Sequence, residues 1–293
     1  MSLARMRGAK AALSMLVAMA WVGGASAQEA EAEDAAATAS GAAEVDVDAR
    51  GADPMAQKGY DISLQSDQTD AGFGDTKVDA KMILRNAAGQ ESERGFTFST
   101  LEKEDASVGD KTLIVFRSPR VYDGTALLSH AKILTPDDQW LYLPAGKRVK
   151  RISSDNKSGA FLGSEFAFED FTTTEVNKYT YKYIGEEEID GMMTHKIERY
   201  PRYEKSGYTK QIIWIDQEIL QGRKLEFYDR KGALLKTLYL EDYREYDGYW
   251  RAHLLRMVNS QTKKETDLVY EDFKFKTGLK PRDFEQGMLT RLR

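Results

Sequence analysis

The chain has 293 residues, 30% of them charged, and a formal net charge of −5. A nucleic-acid binder would normally carry a basic domain, and none is present, so that class is set aside. There is no cysteine, which excludes disulfides and thiolate-bound metal.

The first 27 residues have the three parts of a secretory signal. Arg5, Arg7 and Lys10 form a basic n-region, Ala11 to Val22 an apolar stretch, and Ala25-Ser26-Ala27 a small-residue cleavage site. The apolar stretch is short for a membrane span. Cleavage after Ala27 is expected, leaving a formal charge of −8, of which residues 28–58 carry −6. No cysteine follows the cleavage site, so no lipid anchor is expected there. Residues 28–53 are rich in Ala and Glu with almost no large apolar side chain. They cannot bury enough surface to offset their ordering entropy and read as a disordered acidic leader. Residues 54–293 read as one domain.

Asp53-Pro54 reads as a helix start, with Asp as N-cap and Pro at the first helical position. That helix should reach about Gln65, with a thin apolar side of Met55, Tyr60, Ile62 and Leu64. Strands follow. Lys77 to Arg85 alternates, with Val78, Ala80, Met82 and Leu84 on one face. Asn86 to Gly89 turns the chain, and Glu93 to Leu101 returns with Phe96 and Phe98 on one face, giving a hairpin. Leu113 to Arg117 is apolar and stops at Ser118-Pro119. Thr125 to Leu134 follows the Asp123-Gly124 turn. Gln139 to Leu143 ends at Pro144, and its Trp-Leu-Tyr-Leu run puts large apolar groups on both faces, so it should be covered on both sides. Ser153 to Gly163 breaks the strand pattern. The phenylalanines Phe166, Phe168 and Phe171 follow in GSEFAFEDF, where Ser164 and Glu165 suit a short helix start. Strands resume from Tyr179 to Phe275 with turns at Asp190-Gly191, Arg230-Lys231-Gly232 and Asp247-Gly248, and Pro281 to Leu292 reads as a short closing helix. About eleven antiparallel strands at this spacing make a mainly β fold.

Catalytic signatures do not emerge. His130, His195 and His253 lie far apart in separate strands, and each reads as a structural histidine. No G-x-S-x-G elbow or complete P-loop occurs. The acids Glu186 to Glu188 and Asp190 sit at a hairpin end, where charge runs are usually solvated. No enzyme activity, cofactor or metal is expected. Lys147, Arg148, Lys150 and Arg151 form a compact basic group. It reads either as a solvated strand end that blunts a sheet edge or as a contact for anionic headgroups or an acidic partner.

Arg117-Ser118-Pro119, the strings LLSH, DDQWLYLP and KRVKRI, and the later GSEFAFEDF recur in this order in the outer membrane lipoprotein-sorting proteins. That family is similar to the periplasmic lipoprotein carriers, and the resemblance spans roughly Tyr60 to Arg293. It implies a periplasmic protein with an unclosed antiparallel barrel, a helical lid, an N-terminal helix and a hollow holding lipid or lipoprotein acyl chains. It implies that Arg117 latches the lid, that residues 164–171 with Phe166, Phe168 and Phe171 belong to that lid, and that an inner-membrane transporter is a candidate partner. An adaptor binding such a transporter through its concave sheet is the alternative. The expected lining of the hollow is Met82, Leu84, Phe96, Phe98 and Val115 by alternation, with Trp140 and Trp214 assigned to the same face.

Overall fold

A computed structural model of the chain describes residues 46–105 and 107–292. The signal-peptide and most of the leader expectations lie outside the described residues. Two helices come first, α1 (Val47–Arg50) and α2 (Pro54–Gln68). Asp53 caps α2 as its sequence implies, accepting from the backbone N–H groups of Met55 at 2.8 Å and Ala56 at 3.1 Å.

Six strands follow: β1 (Asp75–Arg85), β2 (Glu91–Leu101), β3 (Val108–Phe116), β4 (Ala126–Lys132), β5 (Asp138–Leu143) and β6 (Arg148–Arg151). After an irregular stretch come β7 (Tyr179–Ile189), β8 (Met192–Pro201), β9 (Lys210–Asp216), β10 (Gly222–Tyr228), β11 (Leu234–Tyr246), β12 (Tyr249–Asn259), β13 (Glu265–Tyr270) and the two-residue β14 (Lys274–Phe275). Among the described residues these make one antiparallel sheet of fourteen strands, three more than the alternation pattern implies. The additional strands include β6, whose residues are mostly charged, and β14, which is too short to show a period.

The sheet is two meanders joined where β1 pairs with β13. Strands β1 to β6 run out one way and β13 back to β7 the other, leaving β6 and β7 as unpaired edges, so the barrel is incomplete. The basic residues Arg148, Lys150 and Arg151 stand exposed on the β6 edge, where charge discourages pairing with another sheet. Hairpins at Asp190-Gly191 and Asp247-Gly248 have positive φ at both turn residues, the geometry that matches strand twist.

Both faces of the β3–β5 region are covered, as the sequence of β5 implies. On the outer side Leu113, Val115, Leu128 and Tyr142 pack under Phe284 and Leu289. The covering segment is a pair of 3₁₀ turns, Pro281–Phe284 and Gln286–Arg291, rather than one helix, because Glu285 between them is extended. His130 joins this layer: its Nε2 lies 2.7 Å from the Phe284 carbonyl oxygen and its ring meets Trp140 edge-on.

The inner face carries two covers. Helix α2 lies over β7 to β9, where Tyr60, Ile62 and Leu64 meet Tyr179, Tyr181, Tyr183, Ile197 and Ile215. Gly59 permits this close approach: a Cβ there would sit 3.0 Å from the Tyr183 backbone nitrogen and 3.1 Å from the Tyr181 Cβ. Part of the expected leader also docks here. Ala49 is buried, Asp46 pairs with Arg202 at 2.7 Å, and the Tyr60 hydroxyl accepts from the Asp46 N–H. The leader expectation therefore fails for residues 46–53, because one small buried residue and two ion pairs, Asp46 with Arg202 and Arg50 with Asp61, anchor a helical turn.

Candidate functional site

The second cover is the chain between β6 and β7, residues 152–178, which spans from one sheet edge to the other. It is a lid built of short 3₁₀ turns: Ser154–Asn156, Phe161–Gly163, Phe168–Phe171 and Val176–Lys178. Ser164 does not start a helix; its hydroxyl donates back to the Phe161 carbonyl. Phe161, Phe166 and Phe171 are buried, and Phe161 contacts Phe171 edge-on with ring centroids 4.8 Å apart. They pack with Met82, Phe96, Ile114, Phe116 and Leu127 of the sheet. Phe168 is partly buried against the same cluster, so all three lid phenylalanines expected from the sequence turn inward.

Beside these rings the inner face is not filled. A cavity of about 220 Å³ lies between the lid residues Phe166 and Phe171 and the strand residues Phe98, Leu225, Leu238 and Tyr270. Cavities of about 320 Å³ and about 270 Å³ adjoin it, the first under helix α2, and each shares lining residues with it. The resulting hollow is mostly apolar, with a minority of polar groups on its wall.

The lid is tied down by polar side chains of the sheet, with lid carbonyls among the acceptors. Arg94 Nη1 donates to Leu162 O at 2.5 Å, and Lys236 Nζ to Glu165 O at 2.9 Å. Gln139 Nε2 donates to Phe168 O at 2.7 Å and Thr112 Oγ to Phe171 O at 3.1 Å. Lys236 also pairs with Asp170 at 2.5 Å, inside the protein. At the two feet of the lid, Lys157 donates to the Asp137 carbonyl and Lys178 pairs with the Asp137 carboxylate at 2.8 Å. Burial holds the Arg94 guanidinium below its usual pKa, and the face of Tyr122, 4.2 Å away, supports the cation.

The lining expected from the sequence divides. Met82 and Phe96 are buried in the inner cluster, Leu84 packs against it, and Phe98 lines the hollow itself. Val115, Trp140 and Trp214 face the other way. Val115 and Trp140 belong to the outer layer under the C-terminal turns. Trp214 lies on the outer face of β9 beneath the Lys196 and Lys224 ammonium groups, 4.8 Å and 4.1 Å from its ring. In β3, β5 and β9 apolar residues occupy both faces, so alternation gives no parity to read. Arg117 is exposed on the loop after β3, with its backbone N–H on Gly95 O at 2.8 Å. The guanidinium groups seen on the lid backbone are those of Arg94, on β2, at the Leu162 carbonyl and of Arg202 at the Asn177 carbonyl.

A crystal structure described as an outer membrane lipoprotein-sorting protein domain from Vibrio parahaemolyticus matches the chain with 47% sequence identity and a TM-score of 0.78, covering 80% of this chain and 100% of that one. The chain belongs to the outer membrane lipoprotein-sorting protein family. A DUF1329 family protein from Desulfovibrio piger is 29% identical, with a TM-score of 0.76 and coverage of 81% and 100%. A LolA superfamily protein from Nitrosomonas europaea, 20% identical with a TM-score of 0.63 and coverage of 80% and 99%, shares the fold of this family member. A family model described as an uncharacterized protein matches residues 109–291. No curated protein matches the sequence. The carrier-like fold expected from the Arg-Ser-Pro and DDQWLYLP strings is therefore present.

Proposed function

We propose that the protein is an exported periplasmic carrier that shields acyl chains of lipids or lipoproteins on the way to the outer membrane. Cleavage after Ala27 would release it, and residues 54–293 would act as one carrying domain. The observation that carries this reading is the apolar hollow under a lid whose phenylalanines already occupy part of it. Phe161, Phe166 and Phe171 act as an internal ligand, and an acyl chain would displace them. Each CH₂ moved from water to the hollow contributes about 0.8 kcal/mol, so a long chain can compete without covalent chemistry. The lid bonds to Arg94, Lys236, Gln139 and Thr112 can be exchanged for water on opening, which keeps the gap between closed and open states modest. In this scheme Arg94 takes the latching role that the sequence resemblance gives to Arg117.

Native mass spectrometry of protein purified from its own envelope tests the proposal. Co-purifying lipid or acylated protein is the expected result. Protein that emerges without either, and that fails to take up a fluorescent acyl probe, would rule it out.

A further inference from the structure

Among the described residues, one buried cation that borders the hollow makes no ion pair. Arg199, on the inner face of β8, is 5% exposed. It borders both the cavity under the lid and the one under helix α2. Its Nε donates to Gln211 Oε1 at 2.7 Å and its guanidinium lies over the Tyr179 ring at 4.6 Å. Among the described residues no carboxylate lies within ion-pairing distance of it, and no acceptor meets its Nη atoms. An arginine carries five N–H donors in a planar fork suited to a carboxylate or phosphate. Four of those donors remain, at the meeting point of two cavities.

The carboxylates on the same walls are engaged elsewhere. Asp170 pairs with Lys236 at 2.5 Å and accepts from the Tyr208 hydroxyl at 2.7 Å. Glu169 accepts from Tyr203, Ser206 and the Gly207 N–H. Asp70 pairs with Arg251 at 2.5 Å, and Asp67 faces Lys103 at 3.9 Å. Glu169 rests on neutral donors and the other three on cations, so none of them is spent on Arg199, which stands as a buried cation without an ion-pair partner among the described residues. A buried cation without a partner is costly, and the cost is recovered when an anion arrives. Gln211, itself buried, holds the guanidinium at its Nε, and the residue borders both cavities.

We propose that Arg199 is a head-group site: the hollow takes an amphiphile whose anionic head, a carboxylate or phosphate, binds the Arg199 fork while its chain lies along Leu225, Leu238 and Leu255. This rests on the reading of the hollow as an acyl-chain site. It narrows the cargo to acyl compounds carrying negative charge next to the chain.

The test is competition against a neutral fluorescent acyl probe on the purified protein, using four compounds of one chain length: dodecanoate, dodecyl phosphate, dodecanol and dodecyltrimethylammonium. The anions should bind at least about tenfold more tightly than dodecanol, as a charge-assisted hydrogen-bonded pair implies. The cation should bind most weakly. Tighter binding of dodecyl phosphate would identify a phospholipid-like head, and tighter binding of dodecanoate a fatty acid. Arg199→Gln should remove the anion margin and leave dodecanol within about twofold of wild type. Arg199→Lys, which keeps charge but loses the fork, should retain part of it. Equal binding of anion and alcohol by the wild-type protein would overturn the head-group site while leaving the acyl hollow intact. An anion margin that persists in Arg199→Gln would do the same. If none of the four compounds displaces the probe and the probe itself does not bind, both the head-group site and the acyl reading fall.

Discussion

Helix α2 and the lid both lie over the inner face of the sheet, yet different chemistry holds them. The helix is bound mainly by apolar packing, Tyr60, Ile62 and Leu64 against β7 to β9 with Gly59 pressed to the backbone, beside hydrogen bonds from Ser66 to the Leu220 carbonyl and from Tyr60 to Asn177. The lid combines an aromatic plug with side-chain bonds onto its own carbonyls. Every polar bond of the lid has a water equivalent, and its phenylalanines can be replaced by another apolar group. One cover is built to stay and the other to be exchanged.

Substitutions on the two seams should separate these roles. The largest effect is expected under the helix. Ile197 is fully buried there, and Ile197→Ala should lower global stability by about 2–5 kcal/mol in urea melts. Acyl-probe affinity of the folded fraction should stay near wild type. A gain in affinity instead would mean that the helix also opens.

On the lid, Arg94→Leu removes the donor to Leu162 O and the cation over Tyr122. Closure should weaken by about 1–3 kcal/mol, raising apparent acyl affinity tenfold or so, with a smaller change in melting temperature. Arg117→Leu, made in parallel, sharpens the assignment. The account expects the affinity gain from Arg94, and a gain confined to Arg117 would return the latch to the Arg-Ser-Pro segment.

A pH-dependent effect is expected at the foot of the lid, where Asp110 of β3 and Glu175 meet beside Lys103. The Asp110 N–H donates to Glu175 at 3.3 Å, and Lys103 pairs with Glu175 at 2.6 Å. Burial first, then the Glu175 charge, pushes the Asp110 carboxyl up to about 8 from its usual 3.8. A folded pKa above the unfolded one means the contribution is full below about pH 4 and lost as pH rises through about 8. Asp110→Asn should therefore flatten the fall in stability between those limits. Parallel pH profiles for the two proteins would show that Asp110 ionises freely in the fold.

Much of this architecture was legible because local rules agree with the fold. The Asp53-Pro54 start, the Asp-Gly hairpins and the alternation of β1 and β2 each have a local physical cause, and each appears where the sequence puts it. The faces of Val115, Trp140 and Trp214 were not legible. Their strands are apolar on both sides, and what covers the outer side is a C-terminal segment far away in sequence or the stems of neighbouring lysines. The latch had a signal that a motif-led reading passes over. Alternation alone places Arg94 with Phe96 and Phe98, and an inward cation on an apolar face needs a partner. Arg199, two residues from Ile197 on β8, carries the same signal. The lid carbonyls that receive these donors are backbone groups, so no residue type announces them.

The central claim is that the lid opens while the helix stays. Amide hydrogen exchange resolved to residues 157–171 and 57–66, with and without dodecanoate, tests it most directly. The account predicts that the lid amides exchange through a sub-global opening at lower free energy than the helix amides, and that ligand changes lid protection while leaving the helix unchanged. Lid and helix amides that exchange together, only with global unfolding, and that ignore ligand would contradict it.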